Sequence, residues 1–182
     1  MQPILLNSCA KAATAKEARF RIDAPIAPAR ATRVVALDDA AEPVVRQVAR
    51  QEWADARFFK AFHPNGNGSA VNGAVNGSVD GSVDGSLADI VLVGTDGAES
   101  LLSEVLSGAD VAVMVATGND GATVASAIGD ACTLRGIMTA GLVLAGGHDA
   151  GAAVAALRPH ARVIMVTYDE HDVSEVLTAL RA

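Results

Sequence analysis

Five short polar stretches follow apolar runs in this chain, and each carries at least one carboxylate. They are Asp38-Asp39 after "RVVAL", Thr95-Asp96-Gly97 after "IVLVG", and Thr117-Gly118-Asn119-Asp120-Gly121 after "VAVMVA". The last two are Gly146-Gly147-His148-Asp149 after "GLVLA" and Asp169-Glu170-His171-Asp172 after "VIMVTY". Two chemistries fit such residues. In one, glycines let backbone N–H groups approach a phosphate at a helix N-terminus, where the macrodipole favours an anion. Gly118, Asn119, Asp120, Gly121 and Thr123 then form the cradle, with Gly97 and Gly147 close by. The signal lacks a G-x-x-x-x-G-K-[ST] loop and a G-x-G-x-x-G after the first strand, and no lysine follows Lys60. The carboxylates also repel phosphate unless Mg²⁺ bridges them, a metal that Asp38 or Asp96 would hold. In the other chemistry the carboxylates themselves are the site, with Asp38, Asp39 and Asp96 as metal ligands and phosphoacceptor. Against both stands the ordinary use of Asn, Asp and Gly as turn and N-cap residues.

The remaining reactive side chains carry weaker signals. His148 beside Asp149 and His171 within "DEHD" make a metal or acid–base pair only if their loops meet, and no H-x-x-x-H spacing supports them. No G-x-S-x-G elbow occurs, and of the two cysteines Cys9 lies in an arm and Cys132 in a helical stretch. That count supports neither a disulfide framework nor a thiol nucleophile, and a reducing cytoplasm is the expected setting. The N-terminus has no basic residue before its short apolar run, which argues against a secretory signal.

Elements able to position the polar stretches are legible in the apolar spacing. At 182 residues, 51% of them apolar but only 3% aromatic, one domain with a core of Ala, Val and Leu is expected. Residues 1–31 read as an extended basic arm and residues 32–182 as one α/β domain. Strands are predicted over 32–39, 56–62, 87–94, 109–116, 137–145 and 162–168. Helices are predicted over 40–53, 98–108, 122–136, 150–161 and 172–182, the second burying Leu101, Leu102, Val105 and Leu106. Asp172 and Glu175 bracket the start of the last like a capping box. Residues 63–86 hold the repeat VNGA, VNGS, VDGS, VDGS and read as a flexible insert. Strands apolar on both faces and separated by helices predict a mostly parallel sheet with helices on both faces. Ligands of such sheets bind beyond the carboxyl ends of the strands.

Charge is uneven along this frame. Residues 1–60 hold ten of the fourteen Lys and Arg against seven acids, whereas residues 61–182 hold four against fourteen. The acidic rear should repel nucleic acid and anionic membranes. Lys11, Lys16, Arg19, Arg21, Arg30 and Arg33 at the front suit an anion or the chain's own acidic part, or form a solvated arm.

"SEVLSGADVAVMVATGNDGATVASAIGDACTLRGIMTAGLV" resembles the glycine-rich signature region of the tubulin/FtsZ-like GTPases, and the likeness continues into "AGAAVAALRPHARVIMVTYDE". It spans roughly residues 99 to 170. The resemblance implies a three-layer Rossmann-like fold and binding of GTP or another nucleotide with Mg²⁺ at Thr117 to Thr123. Gly118, Gly121 and Thr123 keep the family's residue types there. Leu37, Asp38 and Asp39 stand where the family has a glycine-rich loop, and its second domain and hydrolytic acidic loop have no counterpart. The implied protein is a degenerate, truncated and non-catalytic relative: an interaction or regulatory protein with weak nucleotide binding and a protein partner or homo-oligomeric state. Two other likenesses imply different functions. Asp38, Asp39 and Asp96, with Thr117, resemble the acidic site of receiver domains, without that family's lysine. "VATGND" lies where sugar-isomerase (SIS) domains have a serine-rich sugar-phosphate turn.

Overall fold

A computed structural model describes residues 28–62, 90–146 and 149–182. The arm up to residue 27, the 63–86 repeat, Gly147 and His148 lie outside the described residues. The elements in chain order are β1 (Thr32–Ala36), α1 (Glu42–Val48), β2 (Ala56–Ala61), β3 (Val91–Gly94) and β4 (Glu99–Leu101). They continue with α2 (Leu102–Val105), β5 (Val111–Ala116), α3 (Ala122–Arg135), β6 (Met138–Leu144), α4 (Gly151–Leu157), β7 (Val163–Thr167) and α5 (His171–Leu180).

One seven-stranded sheet runs in the order β4-β3-β2-β1-β5-β6-β7. Strands β2, β1, β5, β6 and β7 are mutually parallel, and β3 and β4 add an antiparallel hairpin beyond β2. The order reverses direction between β1 and β5. In doubly wound sheets that reversal opens a crevice between the two loops leaving the strands.

Alternation along the central strands divides the core in two. Val35, Leu37, Ala112, Met114 and Ala116 pack with Leu102, Ile128 and Leu157 of α2, α3 and α4. Val34, Ala36, Val111, Val113 and Val115 face Val44, Val45, Val173 and Leu177 of α1 and α5. Both faces of β1 and β5 are therefore buried, which is why their sequences are continuous apolar runs rather than alternating ones. Pro43 sits in the first turn of α1, where its missing N–H removes no helical bond.

The hairpin corrects the sequence reading. Residues 98–108 do not form one helix: Glu99–Leu101 is a strand, only Leu102–Val105 is helical, and Leu101 is exposed rather than buried. The cause lies in the preceding turn. Asp96 Oδ1 accepts the Ala98 N–H at 3.0 Å, Gly97 takes φ of 84°, and Gly94 N–H bonds Ala98 O at 2.8 Å. An Asx-type turn with a left-handed glycine folds the chain straight back onto β3. The expected capping box at α5 is also replaced. Asp169 Oδ1 accepts the His171 N–H at 2.8 Å, while Asp172 accepts the Thr167 hydroxyl.

Candidate functional site

Asp38 leaves β1 at the point where the sheet order reverses, and its side chain reaches across to the loop after β5. The carboxylate is 5% exposed. Oδ1 accepts the Ala41 N–H at 2.8 Å and the Thr117 hydroxyl at 2.6 Å. Oδ2 accepts the N–H groups of Thr117 at 2.7 Å and Gly118 at 3.2 Å. Four donors converge on one anion, and two of them are backbone amides from the loop expected to cradle a phosphate. The chain's own carboxylate thus takes up all four of these donors. Asp38 is acceptor-only when ionised, and these bonds use lone pairs that a metal would need.

Other cradle residues are likewise committed to the fold. Asn119 Oδ1 accepts the N–H groups of Ala152 at 2.8 Å and Ala153 at 3.4 Å, capping α4 from the neighbouring loop. Asp149 Oδ1 accepts the Gly151 N–H at 2.9 Å at the same helix end. Gly121 lies against β1: a Cβ there would stand 2.5 Å from Leu37 Cβ and 2.7 Å from Leu37 O. Its lack of a side chain lets α3 start this close to the sheet, the role of a helix–strand packing glycine. Gly118 faces open space, and Asp120 and Thr123 are exposed. No side chain caps α3, so its N-terminus is what this rim still offers to an anion.

Asp39, next in the chain, is exposed. It pairs with Lys60 at 3.0 Å, and Lys60 also bonds Glu42 at 2.6 Å, with Arg46 on the far side of Glu42. The Glu42 hydrogen bond, with Asp39 adding to it, holds the Lys60 ammonium above its ordinary value despite partial desolvation.

Asp96 and Gly97 are corrected in position. Because β3 runs antiparallel to β2, their turn lies at the amino rim of the parallel strands, where Thr95 N–H meets Phe58 O at 3.3 Å. Asp38, Asp39 and Asp96 therefore do not share a site, and Asp38 and Asp96 cannot grip one Mg²⁺. Among the described residues no group of three or more His, Cys, Asp or Glu gathers to hold a metal. His171 is an exposed residue 3.9 Å from Glu175. Cys132 is buried, and burial pushes its thiol up to about 11, so it is a poor nucleophile near neutrality.

Fold and site together define an α/β protein with a mostly parallel sheet, whose carboxyl-rim loops are tied to one another by the Asp38 and Asn119 side chains. Comparison with protein families, curated proteins and solved structures gives no match for this chain. Among the described residues no helix is long and apolar enough to cross a membrane.

Sequence reasoning missed Arg33 as a positioned group, treating it as one of the basic residues at the front. It stands inside β1 and is 6% exposed. Its place between Thr32 and Val34 in an otherwise apolar strand was the available signal.

Proposed function

We propose that the chain is a non-catalytic interaction or regulatory protein on a degenerate tubulin/FtsZ-like nucleotide-binding fold, with weak binding of GTP or another nucleotide at most. The observation that carries this reading is the Asp38 carboxylate on the Thr117 and Gly118 amides. A phosphate entering there would meet a fixed negative charge instead of free donors. Asn119 withdraws a second pair of amides in the same manner. The partner side of the proposal draws on β7, which ends the sheet and leaves Val163, Val166 and Tyr168 exposed by 59%, 55% and 87%. An apolar edge strand of this kind is suited to pairing with another chain.

Titration with fluorescent GTP, with and without Mg²⁺, tests the nucleotide reading. Binding weaker than the high-micromolar range, and lost on Gly118→Val, is the expected result. Gly118 is the informative position because its side has room, whereas a substitution at Gly121 also drives into Leu37. Tight, Mg²⁺-dependent binding with GTP turnover would overturn the proposal.

A further inference from the structure

The two edges of the sheet are protected unequally. At one edge, β4 is only three residues long and begins with the exposed Glu99. At the other, β7 runs Val163–Thr167 with no charge and no proline inside it. Exposed edges are normally blunted by shortness, charge or proline, because their free N–H and C=O groups template pairing with another chain. On β7 those groups are turned outward. Thr167 O accepts the Ala145 N–H at 2.7 Å, so Thr167, and Met165 two residues before it, face β6. Ile164 and Val166 alternate with them and direct their N–H and C=O away from β6, where the sheet ends.

Charge indicates what this edge fits. Arg162 precedes β7, Asp169 and Glu170 follow it, and all three are exposed. Neither Arg162 nor Glu170 has an ion-pair partner among the described residues. A strand with a cation at its start and anions at its end complements a copy of itself only when the copy runs antiparallel. A two-fold axis perpendicular to the sheet gives that arrangement and closes the assembly at two copies. Such an axis keeps each face of the sheet on its own side, so facing residues have numbers that are both odd or both even. With the axis at Val166, Val166 faces its own copy, Ile164 faces Tyr168, and Arg162 reaches Glu170 on both sides of the axis. An axis at Met165 would set Arg162 against Tyr168 and leave it without a carboxylate opposite.

We propose that β7 pairs antiparallel with β7 of a second copy of this chain, about an axis at Val166, so that the two sheets become one. The inference rests on the reading of the chain as an interaction protein and names the partner of its β7 edge.

Sedimentation of the full chain from micromolar to millimolar concentration should show a monomer–dimer equilibrium. Val166→Lys, which sets like charges on the axis, should weaken the dimer at least about tenfold. Arg162→Glu and Glu170→Arg should each do the same, because each alone sets like charges opposite one another. Mixing these two variants in equal amounts should restore the dimer, since the mixed pair matches both contacts. All three positions are exposed, so each variant should keep the circular dichroism of the parent. In amide exchange, Ile164 and Val166 should be protected in the dimer and exchange fast in Arg162→Glu, while Met165 and Thr167 stay protected in both. The proposal is overturned if the parent is monomeric at every concentration, or if its dimer is indifferent to all three substitutions. It is equally overturned if the mixed charge variants remain monomeric. A monomeric parent would leave the interaction reading to other partners, whereas tight GTP binding with turnover would sink that reading and leave the β7 dimer standing.

Discussion

Asp38 illustrates how a residue type that suggests chemistry can be consumed by structure. Its four accepted bonds join the β1–α1 loop to the β5–α3 loop, and its partners Thr117 and Gly118 lie 79 and 80 residues away. Sequence shows an acid after a strand; it does not show which amides that acid will meet, because the pairing exists only once β1 and β5 are adjacent. Asp38→Ala strands the Ala41, Thr117 and Gly118 amides, and should cost roughly 2–4 kcal/mol in urea unfolding. Cys132 should resist iodoacetamide at pH 8 in the native protein and react once denaturant exposes it, because burial keeps it a thiol. Lys60 gives a pH signature. Its folded value is raised above the ordinary 10.5, so its contribution is fully present below that pH and is lost as pH rises through the folded value. Parent and Lys60→Met should therefore converge in stability above that range, as followed by thermal melts from pH 9 to strongly alkaline buffer. The gap at lower pH should be under about 1 kcal/mol, given the partly exposed pair.

At the scale of elements, the parallel strands and most of the helices were legible because burial on both faces leaves unbroken apolar runs. Val111–Ala116 and Met138–Leu144 could be little else. The hairpin was not legible, for a physical reason. Leu101, Leu102, Val105 and Leu106 fit a helical period, and a three-residue strand such as Glu99–Leu101 carries too few residues to show its own. What decides is the Asp96-Gly97 turn, which folds the chain back as β4, while the antiparallel pairing of β3 with β2 places that turn on the other rim. Gly97→Ala should cost about 1 kcal/mol through its left-handed backbone alone, since no atom lies within 4 Å of the added methyl. Gly121→Ala should cost more, roughly 1–3 kcal/mol, because its methyl meets the Leu37 backbone. The order of the two midpoints in chemical denaturation checks both.

For the whole molecule, the direction of the parallel strands decides which charged residues gather on which rim. Helices of the doubly wound layers end at the amino rim, where Arg135, Arg158 and Arg181 close α3, α4 and α5, as the macrodipole favours. The carboxyl rim carries Asp38, Asp39, Asp120, Asp149 and Asp169. The sequence reading placed function on the carboxyl rim by architecture alone. It did not show that Asp38 would bond the Thr117 and Gly118 amides.

The central claim is that the Asp38 carboxylate takes the place of a bound anion. Adding formate or acetate to Asp38→Ala tests it most directly, with thermal unfolding as the readout and chloride at matched ionic strength as the control. The account predicts that formate raises the melting temperature of the variant in a saturable manner and leaves the parent unmoved. Equal shifts in both proteins, or none in a variant that is destabilised, would contradict it.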